Sequence, residues 1–363
     1  MHCGVFLSTH GVTNRDDRDW WHQPQDHREM RPVESAQLAE ALGFHSVWMG
    51  DHVALPEESP DSISPIHVEG VSNPEVRHRG PDDADVGGSH RHYPARPTIL
   101  DGAVVMGAIA AATRTIRMGP GVLISPYRHP LNDLRQFATV DALSDGRLIF
   151  GVGCGWMKEE FEVLGHGFHS ERMAVFEECL QIYRRMFEHG VGSFDGRFYR
   201  FENVGVFPTP VQRPRPPIVI GANGPRGARF VARYADGMMP ILTQPRSAPA
   251  DARALIEEVR READRCGRDA GEIALVAFTS FRITGTGDEE ARRRPRRILG
   301  GSAEQILEDI ERFAAEGFSL LNMAPICPSR THGEFCEQVG RFAAEVLPAA
   351  REIMPAGPWR DGV

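Results

Sequence analysis

The segment from Met118 to Glu160, MGPGVLISPYRHPLNDLRQFATVDALSDGRLIFGVGCGWMKEE, constrains the fold of this chain more than any other. It reads as an apolar strand ending in a proline-rich loop, then a helix opening at Pro130 and a turn at Asp145-Gly146. A second apolar strand follows, and its glycine-spaced end leads into another helix. The run from Arg147 to Val152 shows no polar alternation, which suits a parallel strand covered on both faces. Parallel neighbours require a helical crossover of this size. Both strand ends then open on one side of the sheet, where N–H groups and helix N-termini can meet an anion and glycines admit a ligand.

The same rhythm repeats along the chain. Strand-like runs occupy Cys3 to Ser8, Phe44 to Gly50, Ile116 to Ile124, Arg147 to Val152, Pro217 to Ile220, Asp236 to Ile241, Ile273 to Phe281 and Phe318 to Ala324. Helical patterns separate them: Val33 to Leu42 closes at Gly43, and Ser302 with Gln305 forms a capping box ahead of Ile306, Ile310 and Phe313. Eight strand-helix units predict one α/β domain over residues 1–363, a (β/α)8 TIM barrel in preference to an open doubly wound sheet. Three segments break the rhythm and predict insertions after strands two, four and seven. They are Pro56 to Pro97, a hairpin over Ser193 to Phe201 turning at Asp195-Gly196, and Gly285 to Gly301.

The bulk numbers exclude several classes. With 363 residues, 41% hydrophobic and 25% charged, the chain has ample material for a core. A net charge of −9 argues against a nucleic-acid or membrane-surface partner, the local run Arg292-Arg293-Arg294-Pro295-Arg296-Arg297 notwithstanding. There is no bilayer-length apolar stretch and no signal-like N-terminus, so a cytoplasmic location is expected. Six scattered cysteines read as reduced thiols, with Cys154 packed beside the glycines. The first insertion carries His67, His78, His90 and His92 with Asp82, Asp83 and Asp85, but their spacing fits no rigid ligand set. A solvated loop is expected there and no metal is assigned.

Taken with FHSVWMGDHVALP and PIVIGANGPRGARFVARYADGMMP, the opening segment resembles the luciferase-like flavin and deazaflavin oxidoreductases, (β/α)8 barrels that use FMN or coenzyme F420. The likeness runs from Val5 to Ile241 and continues more weakly beyond. It implies a reduced FMN, supplied by a separate reductase and used with O2 to oxygenate a small organic substrate. An F420-dependent hydride transfer is the alternative, a non-catalytic flavin-binding protein a more distant one, and homodimerisation is the family habit.

The resemblance also assigns residues. Phe6, Gly121, Val122, Gly153, Gly155 and Trp156 would hold the cofactor ring and chain, with a cis peptide expected at Gly121–Val122. Pro120 stands where the family often has Thr or Ser. Gly221, Ala222 and Asn223 precede a helix and would offer free N–H groups to a phosphate. Asp51-His52 is the expected catalytic pair, since histidine titrates near neutrality and an adjacent carboxylate can fix its tautomer. Trp20, Trp21 and Arg128 are the expected substrate contacts, with Arg128 either pairing with an anionic group or anchoring its own loop. The 56–97 insertion, at the same rim, is expected to pack over the cofactor together with Trp20-Trp21 as a lid when substrate is present.

Overall fold

The computed structural model describes residues 1–9, 26–54, 98–167, 169–242, 249–285, 296–329, 331–357 and 363. Trp20, Trp21, the 56–97 lid and Arg292 to Pro295 lie outside the described residues.

Parallel strands close into a barrel. In chain order they are β1 (His2–Phe6), β2 (Ser46–Met49), β3 (Arg117–Pro120), β4 (Leu123–Ile124) and β5 (Phe150–Gly153). A hairpin of β6 (Val191–Asp195) and β7 (Arg200–Gly205) follows. The barrel resumes with β8 (Ile218–Ile220), β9 (Gly237–Met238), β10 (Ala274–Ile283), a short β11 (Gly300–Gly301) beside it, and β12 (Leu320–Pro325). The order β3-β2-β1-β12-β10-β9-β8-β5-β4 is joined at its ends by the parallel bridge Met118–Leu148. β3 and β4 are one expected strand, interrupted at a cis Gly121–Val122 peptide, so the circle has the eight positions expected. The expected sixth strand shrinks to β9 and an isolated bridge from Ile241 to Phe278.

Two layers of core follow from strand alternation. Phe6, Trp48, Ile149, Val219, Met239, Val276, Phe278 and Leu320 fill the interior as one cluster. The alternate residues, such as Val5, Val47, Phe150 and Leu275, meet the helices. Phe150 lies 5.0 Å from both Phe137 and Tyr183 and 5.2 Å from Phe187. Truncating so enclosed an aromatic ring costs about 3–5 kcal/mol.

The seam between β3 and β5 is unusually tight. A Cβ at Gly119 would lie 2.2 Å from the Ile149 carbonyl oxygen, and one at Gly151 would lie 2.0 Å from that of Pro120. These two glycines let the two backbones approach closely where the circle closes.

The hairpin occurs where expected, outside the barrel, but its turn is a correction. The last ladder pair is Asp195 with Arg200, and the Gly196 N–H still donates to the Tyr199 carbonyl, so the chain reverses over Arg197-Phe198 and not at Asp195-Gly196. The cause is Glu178, whose carboxylate accepts the N–H groups of Arg197, Phe198 and Tyr199. The capping box at Ser302 and Gln305 is present as read. From the arginine run, Arg296 forms a bidentate pair with the buried Asp309 in the middle of the helix Ala303–Ala315, which makes it a structural anchor. Among the described residues, no helix is long and apolar enough to cross a membrane.

Candidate functional site

The carboxyl ends of all the barrel strands face one rim, and most of the expected site residues gather there. Val122 stands at the centre: an added Cβ would meet its side chain at 2.7 Å from Gly153 and 3.2 Å from Gly221. Gly121 sits over the interior, where its Cβ would meet Asn322 Nδ2 at 3.1 Å and Phe6 and Trp48 at 3.5 Å. Gly155 takes φ +73° and abuts Ile124 and Phe161. Part of the expected need for glycine is therefore filled by protein atoms. Phe6 is buried beneath the rim, 4.9 Å from Phe278, so its contribution to a ligand would be as a floor. Gly121, Val122, Gly155, Trp156 and Gly221 remain partly exposed on that floor.

In the loop Gly221-Ala222-Asn223-Gly224, expected to cradle a phosphate, the first amides are already engaged. The Gly221 N–H is already donated to Val152 and that of Ala222 to Met239, while the Asn223 side chain accepts the Ile241 N–H at 2.9 Å. These three residues tie the loop to neighbouring strand ends. The helix that follows, Pro225–Tyr234, begins at Gly224 with no side-chain cap. A helix start leaves the N–H groups of its first turn unsatisfied, and here no side chain takes them.

Asp51 and His52 part company. Asp51 accepts the Ile124 N–H at 2.9 Å and holds Arg128 in a fork, at 2.7 and 2.6 Å. Arg128 is thus an anchor for the loop after β4. His52 turns to another element. Its Nδ1 lies 2.7 Å from Oε2 of Glu160, on the helix Lys158–Val163, and Glu160 Oε1 accepts the N–H groups of Val53 and Ala54 at 2.6 and 3.1 Å. Burial alone would raise the Glu160 carboxyl. The His52 hydrogen bond and charge and the two N–H groups outweigh it and hold the group below the usual carboxylate range. The indole of Trp156 meets the His52 ring edge-on, 6.3 Å between centroids. Sequence reading missed Glu160, because a glutamate in the first turn of a charged helix looks like a solvated one.

Behind Arg128 lies a second buried acid. Tyr183 donates to Asp133 Oδ2 at 2.5 Å, while Asp133 Oδ1 has no hydrogen-bond partner. Burial raises the Asp133 carboxyl to about 7, against the opposing effects of Tyr183 and Arg128. In an unfolded chain the same group titrates near ~3.9. The folded state therefore binds this proton more tightly. The stability it adds is complete below pH ~4 and is lost as pH rises to ~7. Asp133→Asn is expected to remove that decline, read as a flatter change in denaturant midpoint between acid and neutral pH. Parallel curves for variant and wild type would contradict the assignment.

The sequence profile of the luciferase-like monooxygenase family matches residues 80–326. An uncharacterized protein of Mycobacterium tuberculosis is 29% identical over 243 residues, covering 66% of this chain and 77% of its own. The FMNH2-dependent dimethylsulfone monooxygenase of Pseudomonas putida is 30% identical over 194 residues, covering 53% and 51%. Among solved structures, monooxygenase RslO1 from Streptomyces bottropensis superposes with a TM-score of 0.70 at 20% identity, over 96% of this chain and 99% of that one. With a family profile spanning more than half of its length and eight barrel positions in the same arrangement, this chain belongs to the luciferase-like monooxygenase family.

Proposed function

We propose that the protein is the oxygenase component of a two-component system, using FMNH2 from a separate reductase to oxygenate a small organic substrate with O2. The observation that carries this reading is the floor at Val122, where three strand ends bring the partly exposed Gly121 and Gly221 and the buried Gly153 around one partly exposed apolar side chain. A planar ring fits against such a floor. Two further features suit a flavin: Asn322 Oδ1 is buried and unpartnered below Gly121, and the Gly224 helix start lies uncapped at the same rim. Bound reduced FMN would supply the electrons and the site of oxygen activation. The protein's part is to hold the ring on Gly121–Val122 and the phosphate at the Gly224 helix start, to exclude water, and to exchange a proton through His52.

The test is direct titration of the purified protein with FMN, reduced FMN and F420. Dimethylsulfone serves as a probe substrate, in view of the relative that acts on it. Preferential binding of reduced FMN with substrate-dependent oxygen uptake supports the proposal. Binding of F420 with no affinity for FMN would replace it by hydride transfer on the same barrel. Absence of binding to either would leave the reading without support.

The phosphate position carries its own expectation. Gly224 is extended and a Cβ there meets nothing within 4 Å, so Gly224→Asp is sterically free. An N-cap aspartate stabilises the helix by a few tenths of a kcal/mol over glycine. The same carboxylate repels a phosphate, and FMN affinity is expected to fall about tenfold or more. An unchanged dissociation constant by flavin fluorescence would move the phosphate elsewhere.

A further inference from the structure

We infer that Glu160 is a positioning residue that fixes the His52 tautomer, placing the ring proton on Nδ1 and the lone pair on Nε2. The inference rests on the role given to His52 above. Its geometry is independent of that role. One carboxylate serves both partners: Oε2 meets His52 Nδ1 at 2.7 Å, and Oε1 is occupied by the Val53 and Ala54 N–H groups. The Glu160 side chain is fully enclosed and that of His52 is 10% exposed, so water does not compete for the contact. An ionised carboxylate can only accept. In the neutral ring Nδ1 must therefore be the donor, which puts the lone pair on Nε2. The loop N–H groups make the arrangement one-sided, because they dictate which carboxylate oxygen is left to face the ring.

This one-sidedness gives the test. In Glu160→Gln the side chain has the same shape, and the two loop N–H groups still require an acceptor at the Oε1 position. The amide carbonyl therefore stays with Val53 and Ala54, and the NH2 group is turned toward His52. An NH2 group donates, so Nδ1 must become the acceptor and the ring proton must move to Nε2. A residue that merely braced the loop would leave the tautomer where it was.

The tautomer is read on the full chain, labelled with 15N-histidine, from the two-bond 1H–15N pattern at a pH where the ring is neutral. His52 is assigned by the signal that His52→Asn removes. The expected result is an Nδ1–H ring in the wild type and an Nε2–H ring in Glu160→Gln. In cofactor-loaded protein, kcat should fall about ten- to a hundred-fold, as is usual when an outer partner that orients a ligand histidine is lost. The FMN dissociation constant should stay within about twofold, and Glu160→Asp should restore the Nδ1–H form in part. A wild-type ring protonated on Nε2 overturns the inference even if Glu160→Gln fails to fold, and so does a variant that retains Nδ1–H. Because no turnover enters this measurement, a correct tautomer in an enzyme indifferent to His52 would instead overturn the role given to His52.

Discussion

Gly151→Ala is expected to yield little or no soluble protein, and Gly119→Ala to behave alike. The added methyl carbon at Gly151 would lie 2.0 Å from the Pro120 carbonyl oxygen and 3.2 Å from its carbon; at Gly119 the figures are 2.2 and 3.1 Å from Ile149. No side-chain rotation relieves such a contact, because the obstructing atoms are backbone on both sides. Parting the strands would sacrifice the hydrogen bonds of Met118 to Arg147 and of Ile149 to Met118, which hold the circle closed. Ordinary overpacking costs about 1–3 kcal/mol. A backbone clash at the closure belongs at or above the top of that range, against a total stability of about 5–15 kcal/mol. Gly107→Ala is the control of opposite sign: it lies inside the helix Gly102–Ala112 with nothing within 4 Å of its Cβ, so alanine should stabilise by about 0.5–1 kcal/mol. A soluble Gly151→Ala protein with an unchanged denaturant midpoint would show that the seam tolerates separation.

His52→Asn is expected to lower turnover by about two to four decades while cofactor affinity is kept, the usual size of a lost proton-transfer group. Asparagine is the informative replacement because its amide can still donate to Glu160, which a small apolar residue cannot. His52→Ala should lose as much activity and, in addition, stability, since it strands an enclosed carboxylate with only its two loop N–H partners. The two variants thus separate chemistry from structure. Equal turnover in His52→Asn and wild type would remove the imidazole from the reaction.

The sequence made the barrel legible because its signals are local. Apolar runs of strand length, helices opened by Pro130, Pro225 and the Ser302 capping box, and the glycines after β5 and β8 each follow from short-range chemistry. The interruption at Gly121–Val122 was also found, through likeness to relatives. What escaped was decided by contacts between distant elements. Glu160 lies in the stretch Lys158-Glu159-Glu160, where nothing local separates an enclosed acid from its solvated neighbours. Asp51 and His52, adjacent in sequence, turn toward different elements, Asp51 to β4 and the loop after it and His52 to the helix Lys158–Val163, so a pairing read from adjacency was bound to fail. Glu178 reshaped the hairpin turn from outside the hairpin, and Gly119 and Gly151 look like ligand-facing glycines until the opposite backbone is seen.

The double grip of Glu160 has a consequence for how this family can diversify. Val53 and Ala54 are bound to the barrel immediately before the 55–97 segment begins, so the imidazole is held from its own side of that boundary. On the reading proposed for His52, sequence changes beyond Ala54 are therefore expected to leave the imidazole where it is, so that substrate choice and proton handling can vary separately.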